Sequence, residues 1–332
     1  KQNRGVLSIL RNMVEPHLGK LKNADRLRLQ KAIAIARAAV EKHQVWLENE
    51  VLQKAGGNFR LGKQLYDQKL RFTLHTPLTR QQIRERAESE LRRVRGEMYQ
   101  TAKGVYRAKY PFTRFPKKPS AGYRQAIIRA ALEEAYKQRP KPGGIVAAAK
   151  KSLRLTTDFI RKKDLITIPS DPVEIIVMPE FQRGISLAYC DSPGPLDVGQ
   201  KTFYAVAPLP KSWTTKQVDS FLREYNTRSL HNLTVHEAMP GHFVQLAHSN
   251  RYKGKLRAVL ASGVFIEGWA VYTERMMIDE GFLNGDPLMK LIVLKWYLRG
   301  IANAILDQAI HCDGITRGPA MRLMMEGTFQ EE

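Results

Sequence analysis

Apolar positions recur at helical spacing through the first half of the chain. Over residues 6–55 this spacing predicts two long helices, which end at Gly56-Gly57. Thr79 stands three residues before Gln82, an arrangement typical of a capping box, and predicts the start of another helix. Residues 120–163 resume the helical pattern around a break rich in proline and glycine. The first half is therefore predicted to consist of helices and short linkers.

A different pattern begins at about Leu165. β-Branched residues bounded by prolines favour a strand over residues 166–177, and residues 202–207 form a second strand candidate. From residue 214 the pattern is helical again, with a break at 281–287. We therefore predict a mainly α protein with a small antiparallel sheet. Residues 1–164 would form a basic helical region, and residues 165–332 the sheet and a second helical region, within one intertwined domain.

The charge of the chain is unevenly distributed. The 332 residues include 54 Lys+Arg and 32 Asp+Glu, a net charge of +22. Residues 1–150 hold 33 basic and 12 acidic side chains, so almost all of the excess lies there. Because 43% of the residues are hydrophobic, a disordered chain is excluded. We expect the basic half to form one wall of a cleft and to favour acidic or carboxylate-ended substrates.

Nucleic acid and membranes are the other partners that a basic chain suggests. Aromatic residues alternate with Lys and Arg over residues 106–118, but no helix-turn-helix, zinc-finger or RNA-recognition motif accompanies them, so nucleic-acid binding is the less favoured alternative. No apolar run approaches the ~20 residues of a membrane span. Two cysteines leave the compartment open, cytoplasmic or extracytoplasmic. The chain begins at Lys1 and not at Met, so we expect a preceding piece.

Histidines are concentrated around one motif. Four of the eight fall within residues 231–248, and at the centre His236 is followed by Glu237 and then by His242. A His-Glu pair opening a helix is the first half of a zinc hydrolase signature. In that chemistry imidazoles bind Zn²⁺, and the adjacent carboxylate takes the proton of the attacking water. The pair therefore predicts a hydrolytic metal site.

The spacing of the two histidines departs from the usual four residues. Six residues at about 100° each would leave His236 and His242 roughly 120° apart on a regular helix, too far around to share one metal ion. Pro240 and Gly241 lie between them and favour a kink or bulge. We therefore predict a deformed helix.

A third ligand is expected downstream. Glu267 and Glu274 stand seven residues apart, nearly two full turns, so both project from one face if the segment is helical. Glu267 is the preferred ligand, and Glu274 would hold a ligand histidine in orientation.

These residues also resemble a known family. The runs HEAMPGHFVQ, FIEGWAVYTE and LRGIANAILDQAIHCDGIT look like the bacterial DUF885 family, which is similar to the gluzincin zinc peptidases, and the resemblance covers at least residues 169–328. It implies one Zn²⁺ ion bound by His236, His242 and Glu267, with Glu237 as general base. Oxyanion donors or substrate-orienting groups would come from a set of four residues, namely His311, Tyr272, Arg299 and Tyr189. The family usually continues beyond Phe329 with an acidic residue, an Arg-Tyr pair and a Pro-Gly-Gln run, so we expect either that the chain is a fragment or that this part lies on another piece.

Each site residue also has an ordinary structural explanation. Glu237 follows Thr234 at capping-box spacing, and His242 could be a hydrogen-bonded core histidine. His231 and His248 are expected to be structural. Other expected structural roles are a surface salt bridge for Glu274 and core packing for Trp269, Tyr272 and residues 291–294. The strand within residues 173–178 could bind an extended peptide at a sheet edge or simply cover the core.

A zinc-dependent hydrolase cleaving a peptide or related amide bond is the function these features favour. A non-catalytic peptide-binding relative with a structural or empty metal site is the first alternative. A nucleic-acid-binding protein using the basic half is the second.

Overall fold

A computed structural model describes residues 2–183, 186–197 and 199–331, apart from the side chains of residues 255 and 258. The protein is mainly helical, with 70% helix and one small sheet, which confirms the predicted fold class. The α-helices are α1 (Gln2–Ile9), α2 (Asn23–Trp46), α3 (Leu52–Lys54), α4 (Gly62–Leu74), α5 (Arg80–Lys109), α6 (Ala121–Tyr136), α7 (Ile145–Lys163), α8 (Thr215–Glu224), α9 (Thr227–Glu237), α10 (His242–Asn250), α11 (Lys255–Val259), α12 (Gly263–Asp279), α13 (Phe282–Gly285), α14 (Pro287–Gln308) and α15 (Arg317–Arg322).

Several helix boundaries follow from local sequence. The Thr79 hydroxyl accepts a hydrogen bond from the Gln82 backbone, and the Gln82 side chain returns to the Thr79 backbone, so the predicted capping box begins α5. Single π-helical turns extend the helices at Leu10–Val14, Leu47–Val51, Ala309–Asp313 and Leu323–Gly327. Short 3₁₀ segments are found at Glu15–Lys20, Pro142–Gly144 and Glu180–Gln182.

The sheet differs from the prediction in direction and extent. Its strands are β1 (Val173–Val177), β2 (Ala188–Asp191) and β3 (Thr202–Val206), in the order β1-β3-β2. The sheet is mixed, so the prediction of a purely antiparallel sheet was wrong. If each strand runs opposite to the strand before it in the chain, β1 and β3 are parallel to each other, and in this sheet these two strands are adjacent. Strand β2 was not predicted, and residues 166–172 are not strand because the proline-bounded run becomes extended only at Val173.

The chain forms two compact units. The first contains Lys1–Asn58, Ile176–Tyr189 and Ala205–Pro208. Within it, α1 packs on Glu180–Gln182, where a Cβ at Gly5 would overlap Phe181. A small core of Met178, Ala205 and Ala207 lies beneath Ile176, Leu187 and Tyr189.

The second unit contains Phe59–Ile175, Cys190–Tyr204 and Leu209–Glu332. In its interior α5 packs between α6 and α14, with fully buried side chains from all three helices. Residues 291–294 of α14 are buried, as predicted. Helix α9 packs against α7, α12 and α14, and so the histidine motif lies on a helix that is enclosed on several sides. The boundary proposed near residue 164 stays a prediction.

Within the described ranges, no helix combines the length and apolar character that crossing a bilayer requires.

Candidate metal centre

The histidine motif joins two helices. Helix α9 ends at Glu237, residues 238–241 leave the helical path, and α10 begins at His242. The His-Glu pair thus closes a helix, and the expectation that it opens one was wrong. Thr234 lies inside α9 with its hydroxyl donating to the Leu230 carbonyl at 2.8 Å, so Glu237 is not part of a capping box. The predicted deformation is therefore a complete break between two helices.

Gly241 is essential to this break because the chain returns closely on α9. Its N–H donates to the Val235 carbonyl at 2.8 Å, and a Cβ at this position would overlap the carbonyl oxygens of Val235 and His236. The indole N–H of Trp269 donates to the Pro240 carbonyl at 2.9 Å, tying the turn to α12. The tight return brings the rings of His236 and His242 to a centroid distance of 4.7 Å.

Helix α12 supplies the carboxylates. The Glu267 Oε2 atom lies 3.6 Å from His236 Nε2 and 3.8 Å from His242 Nε2. One ligand atom from each of these three residues lies within 4.8 Å of the other two. Glu274, two turns further along α12, places its Oε1 2.7 Å from His236 Nδ1. Both glutamates therefore face the histidines, as their spacing predicted.

Glu274 fixes the tautomer of His236. A carboxylate only accepts hydrogen bonds, so Nδ1 donates to Glu274 and Nε2 is the ring nitrogen that faces Glu267. The other Glu274 oxygen accepts a hydrogen bond from Asn232 Nδ2 at 2.6 Å. Asn232 had not been predicted, although it stands four residues before His236 and so on the same helix face. His242 Nδ1 is buried without a hydrogen-bond partner among the described residues.

The charges of the cluster favour a cation. Burial lowers the pKa of His236, but the carboxylates of Glu267 and Glu274 outweigh this effect and raise the pKa to about 10. Burial and the neighbouring His236 lower the pKa of His242, while the hydrogen bond from His236 lowers that of Glu267. Three carboxylates surround two imidazoles once Glu237 is included, and this excess of negative charge attracts a metal dication.

Glu237, like Glu274, is a buried carboxylate of the group. It is 8% exposed, and burial raises its pKa to about 7, against the lowering effect of the His236 charge. The Cys190 backbone donates a hydrogen bond to it from β2, an edge strand of the sheet. A carboxyl group whose pKa lies near neutrality is suited to accepting and returning a proton.

The arrangement fits zinc. Two imidazoles and one carboxylate are the ligand set of many catalytic zinc sites, which bind through atoms about 2.0–2.1 Å from the metal. Tetrahedral ligands at that distance are about 3.3 Å apart, close to the two nitrogen–oxygen distances found here. Glu267 has 68% of its side chain exposed, so it lies on the accessible side of the cluster.

The remaining candidate residues lie in other surroundings. The His311 ring packs 6.1 Å from that of Tyr66, and the Arg299 guanidinium lies 4.5 Å above the Trp296 ring. No recorded contact among the described residues joins either one to the metal cluster. Tyr189 belongs to the first unit, where its hydroxyl donates to Gln182. The catalytic roles of His311, Arg299 and Tyr189 stay predictions.

Tyr272 lies on α12, between Glu267 and Glu274 in the sequence. Its ring is 5.8 Å from that of Trp269, and it is 57% exposed, so the expectation that it packs the core was wrong. Val264, Phe265 and Glu267, which precede it on α12, are also exposed. Its catalytic role also stays a prediction.

The two other histidines of the motif region make structural contacts. His231 is buried, with its Nδ1 2.8 Å from the Ser152 hydroxyl, and His248 Nε2 is 2.8 Å from the Thr167 carbonyl.

Two solved structures share this fold. One is described as "a putative lipoprotein of unknown function from Shewanella oneidensis", with 34% identity, a TM-score of 0.71, and coverage of 99% of this chain and 59% of that one. The other is described as "the putative lipoprotein from Colwellia psychrerythraea", with 20% identity, a TM-score of 0.72, and coverage of 98% and 57%. The chain thus spans less than two thirds of the length of both. No curated protein matches it.

A family model for bacterial proteins of unknown function matches residues 1–332, the whole chain. Two of the three motifs that resembled this family at the level of sequence, HEAMPGHFVQ and FIEGWAVYTE, contain the cluster residues His236, His242 and Glu267. The chain belongs to the DUF885 family.

Proposed function

We propose that this chain carries the centre of a zinc-dependent hydrolase that cleaves a peptide or related amide bond. The supporting observation is the convergence of two imidazole Nε2 atoms and one exposed carboxylate beside a buried glutamate. The order of these residues along the chain is also similar to that of the gluzincin zinc peptidases.

The ligands would be His236, His242 and Glu267. Zn²⁺ bound there would act as a Lewis acid and make water a nucleophile near neutral pH. Glu274 would orient His236 through its hydrogen bond to Nδ1. Glu237 would accept the proton of the attacking water and deliver it to the leaving nitrogen, since burial keeps its pKa near 7.

The location of the protein is part of the same proposal. A protein that is 34% identical is described as a putative lipoprotein, which is compatible with a position outside the cytoplasm. The substrate would then be a peptide or small amide met in that compartment. The basic first half of the sequence would favour substrates that end in a carboxylate.

The deciding experiment measures metal content and hydrolysis on the same preparations. We expect about one zinc ion per chain, and cleavage of a synthetic peptide library that stops on chelation and returns with zinc. Glu237→Gln should bind zinc like the parent and lose cleavage. Failure of the apoprotein to take up zinc would refute the metal site.

Zinc uptake without chelator-sensitive cleavage would instead indicate a non-catalytic peptide-binding protein. Binding to DNA or RNA that weakens steeply with salt would favour the nucleic-acid alternative.

A further inference from the structure

A large cavity lies beside the metal cluster in the second unit. Its volume is about 860 Å³, within the range of pockets that enclose drug-sized ligands. Three segments provide most of its wall, namely residues 190–195 at the end of β2 and in the loop after it, helix α10, and the first turns of α12.

Each of these segments is attached to a residue of the metal cluster. Cys190 lines the cavity and donates its backbone N–H to Glu237. Helix α10 begins at His242, and α12 carries Glu267 between two lining residues, Ile266 and Trp269. A molecule in this cavity would therefore lie next to the groups that would perform hydrolysis.

The wall is held by its own polar groups. His248 Nε2 donates to the Thr167 carbonyl at 2.8 Å, and Asn250 Nδ2 donates to the Pro193 carbonyl at 2.9 Å. These bonds join two other lining residues, Thr167 and Pro193, to α10. They also give hydrogen-bond partners to the side chains of His248 and Asn250, which would otherwise face a ligand. The cavity is accordingly a formed feature of the fold.

The remaining surface is mostly apolar. Large apolar side chains that line it come from α10, from α12 and from the residue after α11, namely Leu246, Phe265, Ile266, Trp269 and Leu260. Asp191 and Arg257 are its only strongly charged lining residues among those described, one of each sign, and the Arg257 guanidinium lies 4.9 Å above the Tyr252 ring. The lining therefore offers no net charge to an acidic substrate.

One buried polar atom in the wall lacks a partner. Gln245 is 7% exposed, and its Nε2 donates to the Ser249 hydroxyl at 2.8 Å. Its Oε1 has no hydrogen-bond donor within the described part of the chain. A buried acceptor without a donor costs free energy unless a ligand supplies one. A peptide N–H is such a donor, and peptides are the substrates that the proposed reaction requires.

We propose that this cavity binds an apolar stretch of the peptide substrate beside the scissile bond, with Gln245 Oε1 accepting a hydrogen bond from its backbone. The inference relies on the proposed function for the reaction. It adds that the substrate carries large uncharged side chains, a preference that the net charge of the chain did not indicate.

The test measures binding separately from turnover. Zinc-loaded Glu237→Gln protein is titrated against fluorescein-labelled peptides that differ only in two central residues, Leu-Phe, Asp-Glu or Gly-Gly, and anisotropy gives each dissociation constant. We expect the Leu-Phe peptide to bind at least tenfold tighter than the other two. Equal affinities, no binding of any peptide, or tightest binding of the Asp-Glu peptide would overturn the inference.

Two matched variants locate the binding. Leu260→Asp places a charge on the lining, and Leu256→Asp places one nearby outside it; their parent residues are 69% and 75% exposed, so neither change should disturb folding. Only Leu260→Asp should remove the preference for Leu-Phe, and equal effects of the two would contradict the proposal. Gln245→Met should weaken Leu-Phe binding about five- to tenfold with zinc affinity retained.

Cleavage by the parent protein distinguishes failure of this inference from failure of the proposed function. Chelator-sensitive cleavage without a preference for apolar residues would refute the substrate class alone. Tight Leu-Phe binding without any cleavage would refute the hydrolase alone.

Discussion

Glu274 provides the sharpest test of the metal centre, because it contacts a proposed ligand without being one. Its side chain is 5% exposed and accepts hydrogen bonds from His236 Nδ1 at 2.7 Å and from Asn232 Nδ2 at 2.6 Å. Glu274→Ala removes the acceptor that fixes the His236 tautomer and leaves two buried donors without a partner. Zinc affinity should therefore fall, although the three proposed ligands, His236, His242 and Glu267, are unchanged.

The expected magnitude follows from these contacts. A hydrogen bond to a buried charged group contributes about 1.5–3 kcal/mol. A loss of ~2 kcal/mol in zinc binding corresponds to an affinity about 30-fold weaker, which lies inside the range typical for partners of metal-ligating histidines. Glu274→Gln should lose less, since the amide oxygen can still accept from Nδ1. Asn232→Ala should also lose less, about three- to tenfold, because the contact of Glu274 with His236 survives.

The assay is competition for zinc against a chromophoric chelator at fixed pH, with far-UV circular dichroism to confirm folding. Glu280→Ala is the matched control, because Glu280 follows α12 and its 45% exposed side chain makes only a 3.8 Å ion pair with Lys163. Zinc affinity within twofold of the parent for both Glu274→Ala and Glu280→Ala would refute the reasoning. Helix packing alone would then orient His236.

Three further predictions concern stability and the turn. Burial, with the charges of Arg228 and Lys151, lowers the pKa of His231 in the folded state to about 4. As pH falls below 6.5, the unfolded state therefore takes up a proton before the folded state does, and the folded state loses stability. Between pH 7.5 and 4.5, the free energy of unfolding measured in urea should fall by ~2.5 kcal/mol more for the parent than for His231→Asn, and equal decreases for the two proteins would contradict this. Lys295→Ala should lower the free energy of unfolding by ~3–5 kcal/mol in the same assay, because the Glu224 carboxylate loses its ion-pair partner. Lys295→Met combined with Glu224→Gln should lower it much less, and equal losses would show that the ion pair does not cause the effect. Gly241→Ala should lower the free energy of unfolding by ~3 kcal/mol and abolish tight zinc binding. Unchanged zinc affinity would show that the turn tolerates a Cβ.

Local patterns in the sequence predicted the features that depend on local physics. The capping box at Thr79 begins a helix where it was expected, and residues 291–294 are buried as their apolar run indicated. The seven-residue spacing of Glu267 and Glu274 placed both on one face because α12 is a regular helix around them. In each case neighbouring residues determine the outcome.

Features that depend on distant contacts were not predicted. Strand β2 is only four residues long, and its pairing with β3 is not encoded in its own sequence. Tyr272 is 57% exposed, which helical spacing alone cannot reveal. Asn232 could have been found by its position one turn before His236, but its partner Glu274 lies 42 residues further along.

The turn between the histidines shows where the two kinds of information meet. The spacing of six residues proves that a regular helix cannot present His236 and His242 to one ion, and Pro240-Gly241 is compatible either with a bulge in one helix or with two separate helices. The bond from Gly241 N–H to the Val235 carbonyl turns the chain back, while Trp269, 29 residues away, holds the Pro240 carbonyl. Because Trp269 lies on the helix that carries Glu267, the same contact that selects two helices also places the third ligand beside the histidines. The geometry of the proposed zinc site therefore depends on a residue that no spacing rule identifies.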